Sequence, residues 1–129
     1  FSRFIQFAQD FRKNEGYSVG YEIVKINGKN YIKARLLDVC EFLSKKDYTD
    51  NWQSEMHETF CFFSFQDWKE TAKNAGFTLL PGSQEYVNEW IVENRYKGKA
   101  EIFTQNSTGE LTILPFPSTH IILVLEKKV

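Results

Sequence analysis

Residues Ser54 to Phe77 read SEMHETFCFFSFQDWKETAKNAGF, and this stretch holds the clearest folding signals of the chain. Ser64, followed three residues later by Asp67, is a weaker form of the capping box that begins a helix. Apolar residues then repeat along one helical face, and Gly76 suits the left-handed position just past a helix end. The stretch therefore predicts a helix that starts after Ser64 and ends at Gly76, entered from a short extended segment, TFCFF.

The residues downstream of this helix alternate between strand and turn signals. In chain order they predict a strand at FTLL, a turn at Pro81-Gly82, a helix over SQEYVNEWIVENRYKG, a hairpin of KAEIFTQ and ELTILP around Asn106 to Gly109, and a final strand at HIILVLEKK. The final stretch contains the apolar run Ile121 to Leu125, which is typical of a strand buried on both faces.

The residues upstream predict two helices and a hairpin. In chain order we expect a helix over Ser2 to Lys13, strands at about 20 to 26 and 30 to 35, a helix over Leu36 to Lys45, and an irregular loop over residues 46 to 58. Asn27-Gly28, between the two strands, accepts positive φ at both turn positions of a tight hairpin. For Leu36 to Lys45 a continuing strand is the alternative, because its apolar residues are dense.

The element count predicts an α+β fold with about three helices and a mixed or antiparallel sheet, or else the C-terminal half of an α/β, Rossmann-like sheet. A chain of 129 residues with 42% hydrophobic content can bury one core, so we expect a single domain over residues 1–129. The first residue is Phe1, inside an amphipathic pattern, which favours a piece of a longer protein.

Composition excludes several classes of partner. The formal net charge of −1 provides no positive field for nucleic acid, and no apolar run approaches the length of a membrane span. We therefore expect neither a nucleic-acid nor a membrane partner, and a cytoplasmic protein. Cys40 and Cys61 form no metal-binding pattern with the two histidines, so we expect reduced core cysteines and no metal site.

Motif searches leave His57 as the main candidate for chemistry. The chain contains no GxSxG nucleophile turn, and its seven scattered glycines form no phosphate-binding loop. His57 lies between Glu55 and Glu58, where nearby carboxylates favour the charged imidazole and allow acid or base chemistry. The competing interpretation is a structural histidine that bonds to the loop backbone.

A second candidate is EWIVENRYKGK, Glu89 to Lys99. Its helical spacing favours an amphipathic helix with Trp90 buried and the charged residues in solvent. The functional alternative makes Asn88, Trp90 and Asn94 the rim of a site for a polar ligand.

Five features follow one another along the chain: a polar loop with His57-Glu58, the aromatic FCFFSF, the helix DWKETAKNAGF, a strand and finally HIILVLEKK. This order resembles the C-terminal half of a class I S-adenosylmethionine-dependent methyltransferase. The resemblance covers Glu55 to Leu80 and His120 to Lys128. It implies that an upstream half of the same chain holds S-adenosylmethionine, because the glycine-rich loop of that family is absent here. We therefore expect this piece alone not to bind the cofactor tightly.

The resemblance also implies roles for particular residues. His57 would be the base that takes a proton from a small-molecule or protein methyl acceptor, with Glu55 or Glu58 orienting it. Tyr48, Trp52 and Trp90 would form an aromatic wall of the substrate site. A non-catalytic α+β binding module, docking through its aromatic first helix, remains the alternative prediction.

Overall fold

A computed structural model of the chain describes residues 1–61 and 63–128. The chain divides into two compact units, Phe1–Phe62 and Phe63–Val129. The described residues form helices and four separate two-stranded antiparallel sheets, which confirms the α+β class. The prediction of one domain stays a prediction.

The core of the first unit is built on helix α1, Ser2–Asp10. Phe4, Phe7 and the following Phe11 recur at helical spacing and are all buried. The rings of Phe7 and Phe11 stack with centroids 4.9 Å apart. Val19, Trp52 and Met56 complete this core, so the aromatic stripe of the first helix packs inside its own unit.

The predicted hairpin follows the first helix. Strands β1, Tyr21–Ile26, and β2, Lys29–Ala34, pair in antiparallel register with Ile26 opposite Lys29. Asn27 and Gly28 have φ of 49° and 80°, as a tight hairpin turn of the mirror-image type requires.

Helix α2, Leu36–Lys45, confirms the predicted helix over the alternative of a continuing strand, but its buried face is unexpected. Asp38, Glu41 and Lys45 are buried together with Leu43, whereas Leu36 and Leu37 are exposed. Of the apolar residues that predicted the helix, Leu43 is buried and Phe42 packs against the core, and charged side chains are buried beside them.

The segment after α2 differs from the prediction in two places. The expected loop over residues 46 to 58 contains a one-turn helix, α3, Trp52–Glu55, whose Trp52 is buried in the core. The expected extended segment TFCFF has no strand among its described residues, and Phe62 lies outside them.

The second unit begins with helix α4, Phe65–Asn74, as predicted. Ser64 and Asp67 form a reciprocal capping box, and Gly76 has φ of 87° just past the helix. Strand β3, Phe77–Leu79, follows and pairs antiparallel with β8, Leu125–Lys127.

The predicted helix over SQEYVNEWIVENRYKG is correct only in its second part. Its start forms strand β4, Gln84–Tyr86, paired antiparallel with β7, His120–Ile122. The remainder is a short helix, α5, Glu89–Ile91, that continues as a π-helical turn over Val92–Tyr96. The non-local pairing with β7 overrides the helical spacing of residues 84–86.

The last part of the chain contains the expected hairpin and a corrected final strand. Strands β5, Ile102–Gln105, and β6, Leu111–Leu114, pair antiparallel. HIILVLEKK was predicted to be one strand buried on both faces, and that prediction is wrong. The segment forms two short strands, β7 and β8, because its two parts pair with different strands. The residues of both strands are exposed.

Candidate functional site

His57 lies in a turn directly after α3, and its side chain is exposed. Its backbone N–H donates to the carbonyl of Ser54 at 3.1 Å, which closes the last turn of the helix. In the part of the chain that the structure describes, the imidazole forms no ion pair or hydrogen bond. The imidazole is therefore accessible to a bound molecule.

The two glutamates beside His57 are engaged elsewhere. Oε1 of Glu55 accepts a hydrogen bond from Asn51 Nδ2 at 3.3 Å, and its Oε2 is buried without a hydrogen bond among the described residues. Glu58 is exposed. The structure brings neither carboxylate into a bond with His57, so an orienting role for Glu55 or Glu58 stays a prediction.

The residues after His57 are held by two buried charged side chains of α2. Lys45 Nζ donates to the carbonyl of Glu58 at 2.5 Å, and Glu41 Oε1 accepts from the backbone N–H of Cys61 at 2.6 Å. Lys45 also lies 3.6 Å from the ring centroid of Phe60. Residues 58 to 61 are thus fixed at three points to one helical face, next to the candidate base.

A second buried polar contact continues along the same helix. Tyr17 donates its hydroxyl to Asp38 Oδ1 at 2.6 Å, and Arg35 Nε lies 3.5 Å from Asp38 Oδ2. Burial raises the pKa of Tyr17, and the hydrogen bond to Asp38 raises it further. Asp38, Glu41 and Lys45, spaced at three and four residues, therefore form a continuous polar face on α2.

Cys40 and Cys61 are free thiols, but they are half-buried rather than the core residues that the sequence predicted. Burial, followed by the nearby charge of Glu41, raises the pKa of Cys61 to about 12. Burial likewise raises the pKa of Cys40. A thiol with a raised pKa is protonated near neutral pH and is a poor nucleophile, so neither cysteine is suited to covalent catalysis.

The aromatic residues assigned to the substrate wall differ in exposure. Trp52 is only 5% exposed, and its indole N–H donates to Asp10 Oδ2 at 2.8 Å. The guanidinium of Arg3 lies 3.9 Å above the Trp52 ring. Tyr48 is half-buried, with its ring centroid 6.5 Å from that of Phe60. A substrate contact by Trp52 stays a prediction, and it requires the ring to be uncovered.

Asn88, Trp90 and Asn94 lie together in the second unit. Oδ1 of Asn88 caps the start of α5 by accepting from the backbone N–H of Trp90 at 3.0 Å. Nδ2 of Asn94 donates to the carbonyl of Trp90 at 2.9 Å. Both amides thus bond to local backbone, and the Trp90 ring, 60% exposed, is the part of this rim that is open to a ligand.

One exposed pair was missed by the sequence analysis. Tyr86 and His120 face each other across β4 and β7, with stacked rings 5.1 Å apart at the centroids. Nδ1 of His120 lies 2.7 Å from Thr119 Oγ1. The residues are 34 positions apart, so no local pattern reveals the pairing.

The described residues contain no cluster of histidine, cysteine and carboxylate side chains able to hold a metal ion. No helix within residues 1–61 and 63–128 is long and apolar enough to cross a membrane. No protein-family model, curated protein or solved structure matches this chain.

Proposed function

We propose that this chain is the C-terminal, substrate-side part of an S-adenosylmethionine-dependent methyltransferase. One observation carries the proposal. The resemblance to that family depends on two segments far apart in sequence, and the two segments meet in one ladder: Phe77 of β3 lies opposite Lys127 of β8, and Leu79 lies opposite Leu125. Helix α4 leads directly into this ladder. A helix followed by an antiparallel strand pair suits the end of a Rossmann-like sheet.

Unpaired strand edges support the idea of an upstream half. Strands β3 and β8 each have one partner among the described residues, and their sheet contains only these two strands. An exposed edge presents free N–H and C=O groups that another strand can pair with. We propose that a strand from the cofactor-binding half of the same chain fills this edge.

The residues of this chain do not fit a cofactor site by themselves. The seven glycines are spread singly from Gly16 to Gly109 and form no loop that would let backbone N–H groups approach a ligand. S-adenosylmethionine supplies the methyl group in this class of enzyme, and we assign its binding to residues upstream of Phe1. A cytoplasmic location belongs to the same proposal, and two free cysteines agree with it.

We assign the base to His57. Its side chain is exposed, and the backbone that follows it is held by Lys45 and Glu41. A neutral imidazole that accepts the proton of an acceptor hydroxyl or amine increases the nucleophilicity of that atom. The acceptor is a small molecule or a protein side chain.

A non-catalytic interaction module is the second candidate function. Trp90 is 60% exposed and Ile113 69% exposed. In the described part of the second unit, the buried hydrophobic side chains are Ala72, Tyr96 and Ile102. A unit that buries so little apolar surface and exposes large apolar side chains is typical of one that packs against another surface.

The two proposed functions are distinguished by comparing S-adenosylmethionine binding by the complete protein with binding by the 129-residue chain. We expect S-adenosylmethionine to bind the complete protein in calorimetric titration and not this chain. In the complete protein, His57→Ala should lower methyl transfer by about a hundredfold or more, while Gln53→Ala, at an exposed position of the helix before His57, leaves it unchanged. An upstream sequence without a strand and glycine-rich turn would favour the interaction module, and equal turnover of His57→Ala and wild type would remove the assigned base.

A further inference from the structure

A groove with a volume of about 770 Å³ lies in the second unit between α4 and the β3–β8 ladder. Ligand sites for small molecules commonly have volumes of about 300–1,000 Å³. Its apolar lining residues come from the start of α4 and from β3 with the turn after it: Phe65, Phe77, Leu79, Leu80 and Pro81. The groove therefore offers an apolar surface large enough for a small ligand.

Three lysines border this apolar surface. Lys69 and Lys73 lie one turn apart on α4, and Lys128 follows β8. The carboxylate among the described lining residues is that of Glu70, whose Oε1 accepts a hydrogen bond from Gln66 Nε2 at 2.9 Å. Three lysines minus one glutamate leave an excess of two positive charges at a groove of a chain whose formal charge is −1.

The three lysines have no carboxylate partners among the described residues, as is also true of Lys25, Lys29 and Lys33 in the first hairpin. Arg12, in contrast, pairs with Glu15, and Lys97 pairs with Glu93. The charges of the three groove lysines are thus not neutralised by neighbours. Unpaired ammonium groups around an apolar floor attract a ligand that carries its own negative charge.

We propose that this groove binds a small amphipathic anion, with its apolar body on the floor and a carboxylate or phosphate group at the three lysines. A wholly polar anion would gain little from the floor. The hydroxyl of Ser83 is already engaged, because it donates to the carbonyl of Val124 at 3.2 Å and accepts from the Val124 N–H at 3.0 Å. The lysines supply the positive charge of the groove and would select an anionic ligand. The proposal is independent of methyl transfer.

The test uses decanoate, which combines an apolar chain with a carboxylate. We expect it to shift the amide NMR signals of α4 and β3 in the isotopically labelled chain. 1-Decanol provides the same body without the charge and should bind about tenfold more weakly, since three exposed charge contacts are lost. If the chain bound phosphatidylglycerol vesicles but not free decanoate, the anionic group recognised by the groove would be a lipid headgroup. That result would overturn the assignment of a small-molecule ligand.

Variants locate the binding. Lys69→Gln/Lys73→Gln/Lys128→Gln should weaken decanoate binding by about tenfold. The matched control replaces the three exposed lysines of the first hairpin, Lys25→Gln/Lys29→Gln/Lys33→Gln, and should bind as wild type does. If the triple groove variant no longer gives the dispersed NMR spectrum of a folded chain, two further measurements test the proposal. They are decanoate binding by Lys73→Gln alone and decanoate binding by the unsubstituted chain at increasing NaCl. Equal binding of decanol and decanoate, equal loss in the control, or no saturable binding would overturn the proposal.

Discussion

Lys45 and Glu41 form an ion pair in which neither side chain contacts solvent. Nζ of Lys45 lies 3.1 Å from Oε2 of Glu41, one helical turn away, and the two residues are 0% and 1% exposed. The contact is one of charge rather than an aligned hydrogen bond, because Oε2 receives no hydrogen bond among the described residues. Lys45 donates a hydrogen bond to the carbonyl of Glu58, and Glu41 accepts one from the backbone N–H of Cys61. The pair therefore joins α2 to the segment after His57.

Breaking this pair should be far more costly than breaking an exposed one of the same spacing. Lys45→Met leaves the carboxylate of Glu41 buried without a counter-charge, and we expect the free energy of unfolding to fall by about 3 kcal/mol. Lys97→Met removes the exposed pair of Lys97 with Glu93 and serves as the matched control, with no measurable change expected. Urea unfolding measures both, and similar losses for the two variants would contradict the prediction.

The thiol of Cys61 should react slowly. Burial raises its pKa to about 12, so very little thiolate is present at pH 8. In a Cys40→Ser background we expect a disulfide reagent to modify Cys61 at least about a hundredfold more slowly than it modifies glutathione. The rate should still be rising above pH 9. The same variant in concentrated urea is the control, and a plateau near pH 9 in the folded chain would be the contrary result.

A side chain at the second turn position of the first hairpin should lower the stability of the chain. Gly28 has φ of 80°, where a Cβ is strained even though no other atom lies nearby. We expect Gly28→Ala to lower the free energy of unfolding by about 1 kcal/mol. Gly20 also has open space around it but no positive φ, so Gly20→Ala should not destabilise the chain. Thermal or urea unfolding compares the two, and an equal loss would show that strain is not the cause.

The capping box of α4 should contribute a pH-dependent stability. Hydrogen bonds from the backbone N–H and hydroxyl of Ser64 lower the pKa of Asp67. The charged carboxylate is therefore favoured in the folded state, so its stabilising effect is complete above the ordinary aspartate pKa of about 3.9 and is lost as the pH falls through the lowered value.

Ser64→Ala tests this helix start. We expect a loss of about 1 kcal/mol at pH 7, because the backbone N–H of Asp67 loses its acceptor. The pKa of Asp67 should rise in the same variant when followed by NMR. Ser64→Thr keeps a hydroxyl acceptor and should retain most of the stability. An unchanged Asp67 titration in Ser64→Ala would mean that the hydroxyl does not set the carboxylate pKa.

Elements with strong local signals could be predicted from the sequence. The Asn27-Gly28 turn, α2 and the capped helix α4 all appear where expected, because each is specified by neighbouring residues. The division of HIILVLEKK and the strand at residues 84–86 could not be predicted, since both depend on pairing between distant residues.

The buried face of α2 was missed for a different reason. Glu41 and Lys45 are types that normally lie in solvent, and their ion pair with each other and their contacts with residues 58–61 offset the cost of burying them. For the candidate site, the roles of His57, Asn88, Trp90 and Asn94 stay predictions, and the burial expected for Trp90 is wrong because its ring is 60% exposed. The sequence did not identify the stacked pair of Tyr86 and His120, which arises from strand register.

The apolar run Ile121 to Leu125 has a further consequence outside the folded state. A window of β-forming residues with no charge and no proline is the kind that nucleates fibrils when copies of a chain stack. Glu126, Lys127 and Lys128 follow it immediately, and identical charges stacked in register repel one another. We therefore expect these three charged residues to act as gatekeepers, and replacing them with neutral residues should favour fibril growth from the apolar run.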